Sequence, residues 1–178
     1  MRRVLAAAGG LTLAVPADGD AELMAAGWDS AFDVDPDDRP QAPPVGLVRA
    51  VLLDSPTSEL LGQLSWHQVG WGRTRACAAW NLGIALLPAA RGRGAGVGSL
   101  RLLIEHLFAT TDLDRVEAAT DVDNAAARRA LTAAGLREEG IVRGAQLRGG
   151  VRRDLVLLGL LRSDLDCYSR SQKNPFGP

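Results

Sequence analysis

Four glycines and two arginines fall within eight residues, Arg91-Gly92-Arg93-Gly94-Ala95-Gly96-Val97-Gly98. The stretch follows an apolar run, Ile84 to Leu87, and leads directly into an amphipathic one. Glycine adopts positive φ without a Cβ penalty and lets the backbone approach a ligand closely. Unpaired N–H groups at a helix start carry a partial positive charge and gather anions. The planar guanidinium of arginine matches phosphate oxygens. A strand, this loop and then a helix make an α/β unit whose loop seats a pyrophosphate. A basic solvent loop would use the same residue types, and the strand–loop–helix context is what separates the two readings.

Two common phosphate loops are excluded by spacing. A P-loop needs Gly-Lys-Ser/Thr at its end, and the only lysine of the chain is Lys173. The dinucleotide fingerprint Gly-x-Gly-x-x-Gly fails because its third glycine would fall on Val97 or Ser99. What the residues fit is Arg-x-x-Gly-x-Gly, read as Arg91, Gly94 and Gly96.

The 178 residues, 47% of them hydrophobic, suffice for one domain with a real core. A net charge of −1 with dispersed arginines argues against a nucleic-acid surface. Two cysteines, Cys77 and Cys167, are too few for a disulfide framework, so a reducing, cytoplasmic setting is expected. Cys77 lies in an apolar segment and reads as core. Met1 to Ala8 has the positive start of a leader, but Gly9 and Gly10 break its apolar run, and Leu11–Val15 suits a first strand. No segment reaches the ~18 apolar residues of a membrane span, and no metal-ligand spacing is present.

Further strands are expected at Leu47–Leu53, Leu60–Trp71, Ala76–Leu87 and Arg115–Val122, with a closing hairpin over residues 140–161 turning at Gly149-Gly150. A short helix, Ala21–Trp28, has Leu23, Met24 and Trp28 as its candidate buried residues. The helix after the glycine loop is marked by Val97, Leu100, Leu103, Ile104, Leu107 and Phe108 at three- and four-residue spacing. Asp123-Asn124 caps another helix that Gly135 ends. Residues 29–46, with five aspartates and four prolines, read as a linker or as a lid facing substrate. Trp66, Trp71 and Trp80 cluster on one hairpin and read as core or as an acceptor pocket.

Taken together, Arg91-x-x-Gly94-x-Gly96, a helix, a strand, Asn124-x-x-Ala127 and Ala134-Gly135-Leu136 resemble the GNAT superfamily of acetyl-CoA-dependent N-acetyltransferases. Their spacing is most similar to the ribosomal-protein N-terminal acetyltransferase branch. Glu139 to Arg143 and Asp154 share that similarity, which covers roughly residues 45–162. The resemblance implies a single α/β (α+β) domain over residues 1–162; the polar stretch 163–178, with Pro175, Gly177 and Pro178, reads from its composition as a flexible tail. It implies a mixed central sheet splayed between the fourth and fifth strands and flanked by helices. Acetyl-CoA, or another short acyl-CoA, would lie in that gap, its pantetheine pairing with the backbone near Ile84 and Leu86. Its pyrophosphate would sit on the amides of Arg91, Gly92, Arg93, Gly94, Ala95, Gly96, Val97 and Gly98. Asn124 would contact the pantetheine arm, or is a plain N-cap. Arg128 and Arg129 would reach the adenosine 3′-phosphate, or form a solvated helix face.

The implied reaction is acyl transfer to a primary amine of a small molecule or protein N-terminus, by a monomer or homodimer. A base must take a proton from the amine, typically worth ~10²–10⁴-fold. The fourth strand carries no Glu or Asp where many relatives do. His67 on the neighbouring strand is the first candidate, since imidazole can take a proton near neutral pH. Asp121 and Glu138 come second. Leu131 and the run Leu155 to Gly159 lack the tyrosine that relatives use to protonate the leaving thiolate, and Tyr168, the only tyrosine, lies in the tail. Three readings stay open: transfer, acyl-CoA binding without transfer, and a biosynthetic enzyme that has repurposed the cleft.

Overall fold

The computed structural model describes residues 2–29, 31–35 and 43–165. Eight strands form one sheet in the order β1-β2-β3-β4-β5-β6-β8-β7. They are β1 (Val4–Ala8), β2 (Leu11–Ala14), β3 (Val48–Asp54), β4 (Leu60–Gly70), β5 (Ala78–Leu86), β6 (Arg115–Asp121), β7 (Arg137–Arg148) and β8 (Val151–Leu161). The α-helices with both ends among the described residues are α1 (Asp20–Ala26), α2 (Ala95–Thr110) and α3 (Ala125–Ala133).

Val4–Ala8, within the leader-like segment, is the first strand. Gly9 and Gly10, at φ 58° and 79°, make a two-residue turn that folds β1 back on β2. Such a turn needs φ > 0 at both positions and matches the twist of the strands it joins. Arg2 then ties the hairpin to α1 through an ion pair with buried Asp20 at 2.5 Å. The closing hairpin uses the same device, with Gly149 and Gly150 at φ 61° and 71°.

Helix α2 lays Leu100, Leu103, Ile104 and Leu107 into a core shared with Leu64, Trp66, Trp80 and Leu82 of the sheet. Leu131 of α3 joins the same cluster. The close fit of α2 to β2 explains Gly98: a Cβ there would meet Leu11 Cδ1 at 2.8 Å. Two expectations about burial are overturned, and the three tryptophans divide. Of the three apolar residues expected to be buried at α1 only Met24 is; Leu23 and Trp28, which lies past the helix end, are 58% and 42% exposed, because a seven-residue helix offers the sheet one narrow stripe. Cys77 is exposed, because it ends the turn before β5 rather than lying within the strand. Trp66 and Trp80 are core, whereas Trp71, one residue beyond β4, is 64% exposed.

The sheet splays where the resemblance implies. β4 and β5 pair antiparallel along their whole length, from Gly62↔Leu86 to Gly70↔Ala78. β6 and β8 pair fully as well. Between β5 and β6 the parallel register holds only at Trp80↔Val116 and Asn81↔Glu117. Beyond that pair the strands part, leaving a V closed at Asn81–Glu117 and open toward the glycine loop. Because the N-terminal hairpin adds a strand, the gap lies between the fifth and sixth strands of the chain. No described helix is long and apolar enough to cross a membrane.

Candidate active site

A cavity of about 510 Å³ occupies the open end of the V, lined among others by Ile84, Leu86, Gly92, Gly94, Gly96 and Arg129. Its floor is the free edge of β5, whose backbone groups beyond Asn81 have no β6 partner. Its mouth is the glycine loop. Gly92 and Gly94 stand at φ 72° and 84° with nothing within 4 Å of a would-be Cβ. They are glycines for the sake of the turn, and the turn leaves open space. Intrahelical bonding in α2 begins with Gly98 N–H donating to Gly94 O at 3.0 Å. The N–H groups of Ala95, Gly96 and Val97 therefore have no helical acceptor and point out of the helix start. At Gly96 the fold itself leaves room for a methyl: a Cβ would make ordinary contacts, 3.4 Å to Leu86 and 3.9 Å to Ala130, where α2, α3 and β5 converge.

The arginines divide into those used by the fold and those left over. Arg91 lines the cavity, but it donates to Leu86 O and Asp29 O, both at 3.0 Å, and pairs with the Asp29 carboxylate at 2.6 Å. Arg128 donates to Glu138, at 2.9 and 3.1 Å, and to Val122 O. Arg93 and Arg129 have no partner among the described residues, and Arg129 lines the cavity. Val97 also lines it, whereas Arg93, Ala95, Gly98, Asn124 and Arg128 do not. Asn124 caps α3 by accepting the Ala127 N–H at 3.1 Å. The cavity wall that sequence reasoning missed is Ala126, Ala127, Ala130 and Ala133. Its signal was legible: small residues at three- and four-residue spacing on one helix face.

Of the carboxylates considered as bases, Glu138 is committed to Arg128. Asp121, 3% exposed, accepts from the Asp123 N–H at 2.8 Å and from Arg148. Burial by itself would raise its pKa; the Asp123 N–H and the Arg148 guanidinium outweigh that and hold the carboxyl below its usual range. Arg148 also stacks over the Phe32 ring at 5.0 Å. Asp35 accepts the Gly149 and Gly150 N–H groups at 2.6 and 2.8 Å. These bonds, from Gly150 first and Gly149 next, lower the Asp35 pKa. The described part of the 29–46 segment is thus anchored to the β7–β8 hairpin at the open end of the V; Asp37 and Asp38 lie outside the described residues, as do Cys167, Tyr168 and most of the tail. Residues 162–165 form a helical turn, in which Asp164 accepts the Leu161 N–H.

His67 is half-buried on β4, on the sheet face that looks away from α2. It stands in register with Asn81, and Asn81 with Glu117. In-register side chains share a face, so His67, Asn81 and Glu117 form a row across three strands at the vertex of the V.

A split mixed sheet with an anion-seating glycine loop and a lined cavity between the parted strands defines a class of acyltransferases that bind a CoA thioester in the split. A family model described as the acetyltransferase (GNAT) domain matches residues 14–137. The chain belongs to the GNAT acetyltransferase family, whose acyl donor is acetyl-CoA. RimJ of Mycobacterium smegmatis, solved with CoA-disulfide, is 20% identical, with a TM-score of 0.66 over 95% of this chain and 93% of that one. The ribosomal-protein-S5-alanine acetyltransferase of Vibrio fischeri is 22% identical, with a TM-score of 0.59 over 66% and 63% of the two chains. The spermidine N-acetyltransferase of Vibrio cholerae, in complex with CoA and spermine, is 18% identical, with a TM-score of 0.59 over 67% and 68%. At these identities the structures share the fold.

Proposed function

We propose that the protein transfers an acetyl or related short acyl group from its CoA thioester to a primary amine of a small molecule or protein N-terminus. The observation that carries the reading is the cavity in the split sheet, walled by the glycine loop and the alanine face of α3. The residues present fit the cofactor. The free amides of Ala95, Gly96 and Val97 suit a pyrophosphate, and Arg93 and Arg129 are unspent cations for phosphate. The unpaired edge of β5 at Ile84 and Leu86 suits the amide groups of pantetheine. Acetyl-CoA held there supplies an acetyl group already activated as a thioester.

The rest is positioning and proton handling by the chain. Fixing the amine against the bound donor removes much of the entropic barrier of a two-body reaction. The amine nitrogen loses one proton as it forms the new C–N bond, and His67 accepts it directly or through a water. The leaving sulfur takes its proton from solvent, since no tyrosine stands among the described residues. Neighbours of the same fold act on a ribosomal protein and on spermidine, which supports an amine acceptor here.

Thermal melts with acetyl-CoA, free CoA and NADPH test donor binding, and an amine and peptide panel with acetyl-CoA tests transfer. Stabilisation by the CoA compounds alone, with acylated product, is the expected result. Stabilisation without product from any acceptor would favour binding without transfer, a reading that the committed Asp121 and Glu138 carboxylates support. No CoA stabilisation would sink both readings.

A further inference from the structure

A second cavity, of about 380 Å³, lies near the closed end of the V; Trp71, Ala78, Arg115, Glu139, Leu157 and Leu161 are among its lining residues. Ala78 opens β5 and Arg115 opens β6, so this cavity sits where the two strands are still together. Arg115, Leu157 and Leu161 occupy register positions that share the face of Glu117, which is the face away from α2. The Arg115 guanidinium donates to Glu139 at 2.5 and 2.8 Å and to Glu117 at 3.2 Å. Glu117, 3% exposed, also accepts the Trp71 indole N–H at 2.7 Å. Glu139 lines the cavity and Glu117 stands directly behind Trp71 and Arg115, so two carboxylates share one guanidinium here and the pair carries an excess negative charge. A carboxylate buried to this degree is costly unless it is paired and hydrogen-bonded, and Glu117 shares its one guanidinium with Glu139.

The other walls are apolar. The Trp71 indole nitrogen is held by Glu117 while most of the residue stays exposed, and Leu157 and Leu161 flank it. An aromatic ring beside two carboxylates that share one guanidinium attracts a cation with an apolar body. The volume falls at the low end of small-ligand pockets. Glu117 is in register with Asn81, the last pair before the strands diverge, so a cation at Glu117 stands at the vertex toward which the cofactor cavity runs from the other face.

We infer that this cavity receives the acceptor, a small primary amine with a compact apolar body, its ammonium toward Glu117 and its body against Trp71 and Leu157. This rests on the acyl-transfer reading and narrows it from amines in general to small apolar ones. The bound ammonium must lose one proton before it can attack and a second as the C–N bond forms; Asn81 and His67 continue the polar row away from Glu117, giving the first a path to solvent through His67, which then takes the second.

Exposed Cys77 lies on the rim and reports occupancy without any turnover. With Cys167→Ser to leave one protein thiol, and with S-methyl-CoA, a thioether without a free thiol, bound in place of CoA, the alkylation rate of Cys77 by N-ethylmaleimide is measured against phenethylamine, phenethyl alcohol and a short peptide with a free N-terminus. Phenethylamine should slow alkylation saturably and the alcohol should not. Glu117→Gln should weaken that protection by about tenfold or more, the worth of a charge-assisted hydrogen bond. Leu157→Trp, which fills the cavity, should abolish it, while CoA-induced stabilisation of both variants stays intact. Unprotected Cys77 at saturating amine, equal protection in Glu117→Gln, or protection by the peptide alone would each overturn the assignment. Transfer to small amines with an unchanged KM in Leu157→Trp would remove this site and leave acyl transfer standing. Protection without CoA stabilisation or product would do the reverse.

Discussion

Gly96→Ala separates the folding role of the glycine loop from its ligand role, because the two respond with opposite sign. Gly96 is the second residue of α2, and its φ is not in the left-handed region, so alanine fits the backbone. Its Cβ would make ordinary contacts, 3.4 Å to Leu86 Cδ1 and 3.9 Å to Ala130 Cβ. Replacing a helical glycine by alanine stabilises by about 0.5–1 kcal/mol, toward the lower figure in a first turn. For a chain of this size, that raises the ligand-free Tm by roughly 1–3 °C. The same methyl stands in the wall of the 510 Å³ cavity, against the amides that would hold the pyrophosphate. Wild type at ~100 times Kd should gain ~2.7 kcal/mol from acetyl-CoA. A tenfold loss of affinity takes ~1.4 kcal/mol from that gain. Differential scanning fluorimetry with and without acetyl-CoA reads both effects in one experiment. A Gly96→Ala protein that melts below wild type, or one that keeps the full acetyl-CoA shift, would refute the reasoning.

Three further outcomes are expected. Gly98→Val drives a side chain into Leu11 at the α2–β2 contact, and overpacking of this kind costs about 1–3 kcal/mol, readable as a lower urea midpoint and earlier proteolysis of the N-terminal hairpin. Arg129→Ala should erase most of the preference for CoA over 3′-dephospho-CoA, about tenfold for one charged contact, in calorimetric titrations, and an unchanged preference would show that the 3′-phosphate sits elsewhere. For Asp121 the folded carboxyl titrates below its ordinary 3.8, so its stabilisation is present above that value and is lost as pH falls through the lower, folded value. Asp121→Asn should therefore be less stable than wild type at pH 7, and its stability should fall less steeply below about pH 4 in denaturant titrations.

Much of the fold was legible because its signals are local. The periodicity of α2, the cap at Asn124, the stop at Gly135 and the turn at Gly149-Gly150 each depend on residues within a few positions of one another. The phosphate seat was legible for the same reason, since loop and helix start are contiguous. The signals that misled were those whose meaning depends on a distant partner. Val4 to Ala8 has no strand signal of its own, and it becomes a strand only because Gly9-Gly10 folds it onto β2. Trp66, Trp71 and Trp80 look equivalent along one hairpin, yet two enter the core and the third stays at the surface with its indole held by Glu117, 46 residues away.

By itself, then, the sequence determined the class of fold and the kind of ligand, because strand, glycine turn and amphipathic helix are specified by neighbours in the chain. Only the tertiary structure decided which charges are spent and which remain. Arg91, Arg128, Asp121 and Glu138 are indistinguishable in sequence from free functional groups, and long-range pairing consumes each of them. Arg129 and the row His67–Asn81–Glu117 acquire their meaning from the opposite circumstance. Strand register, fixed by the packing of the whole sheet, gathers the row at one vertex, and no neighbour in the fold claims the arginine.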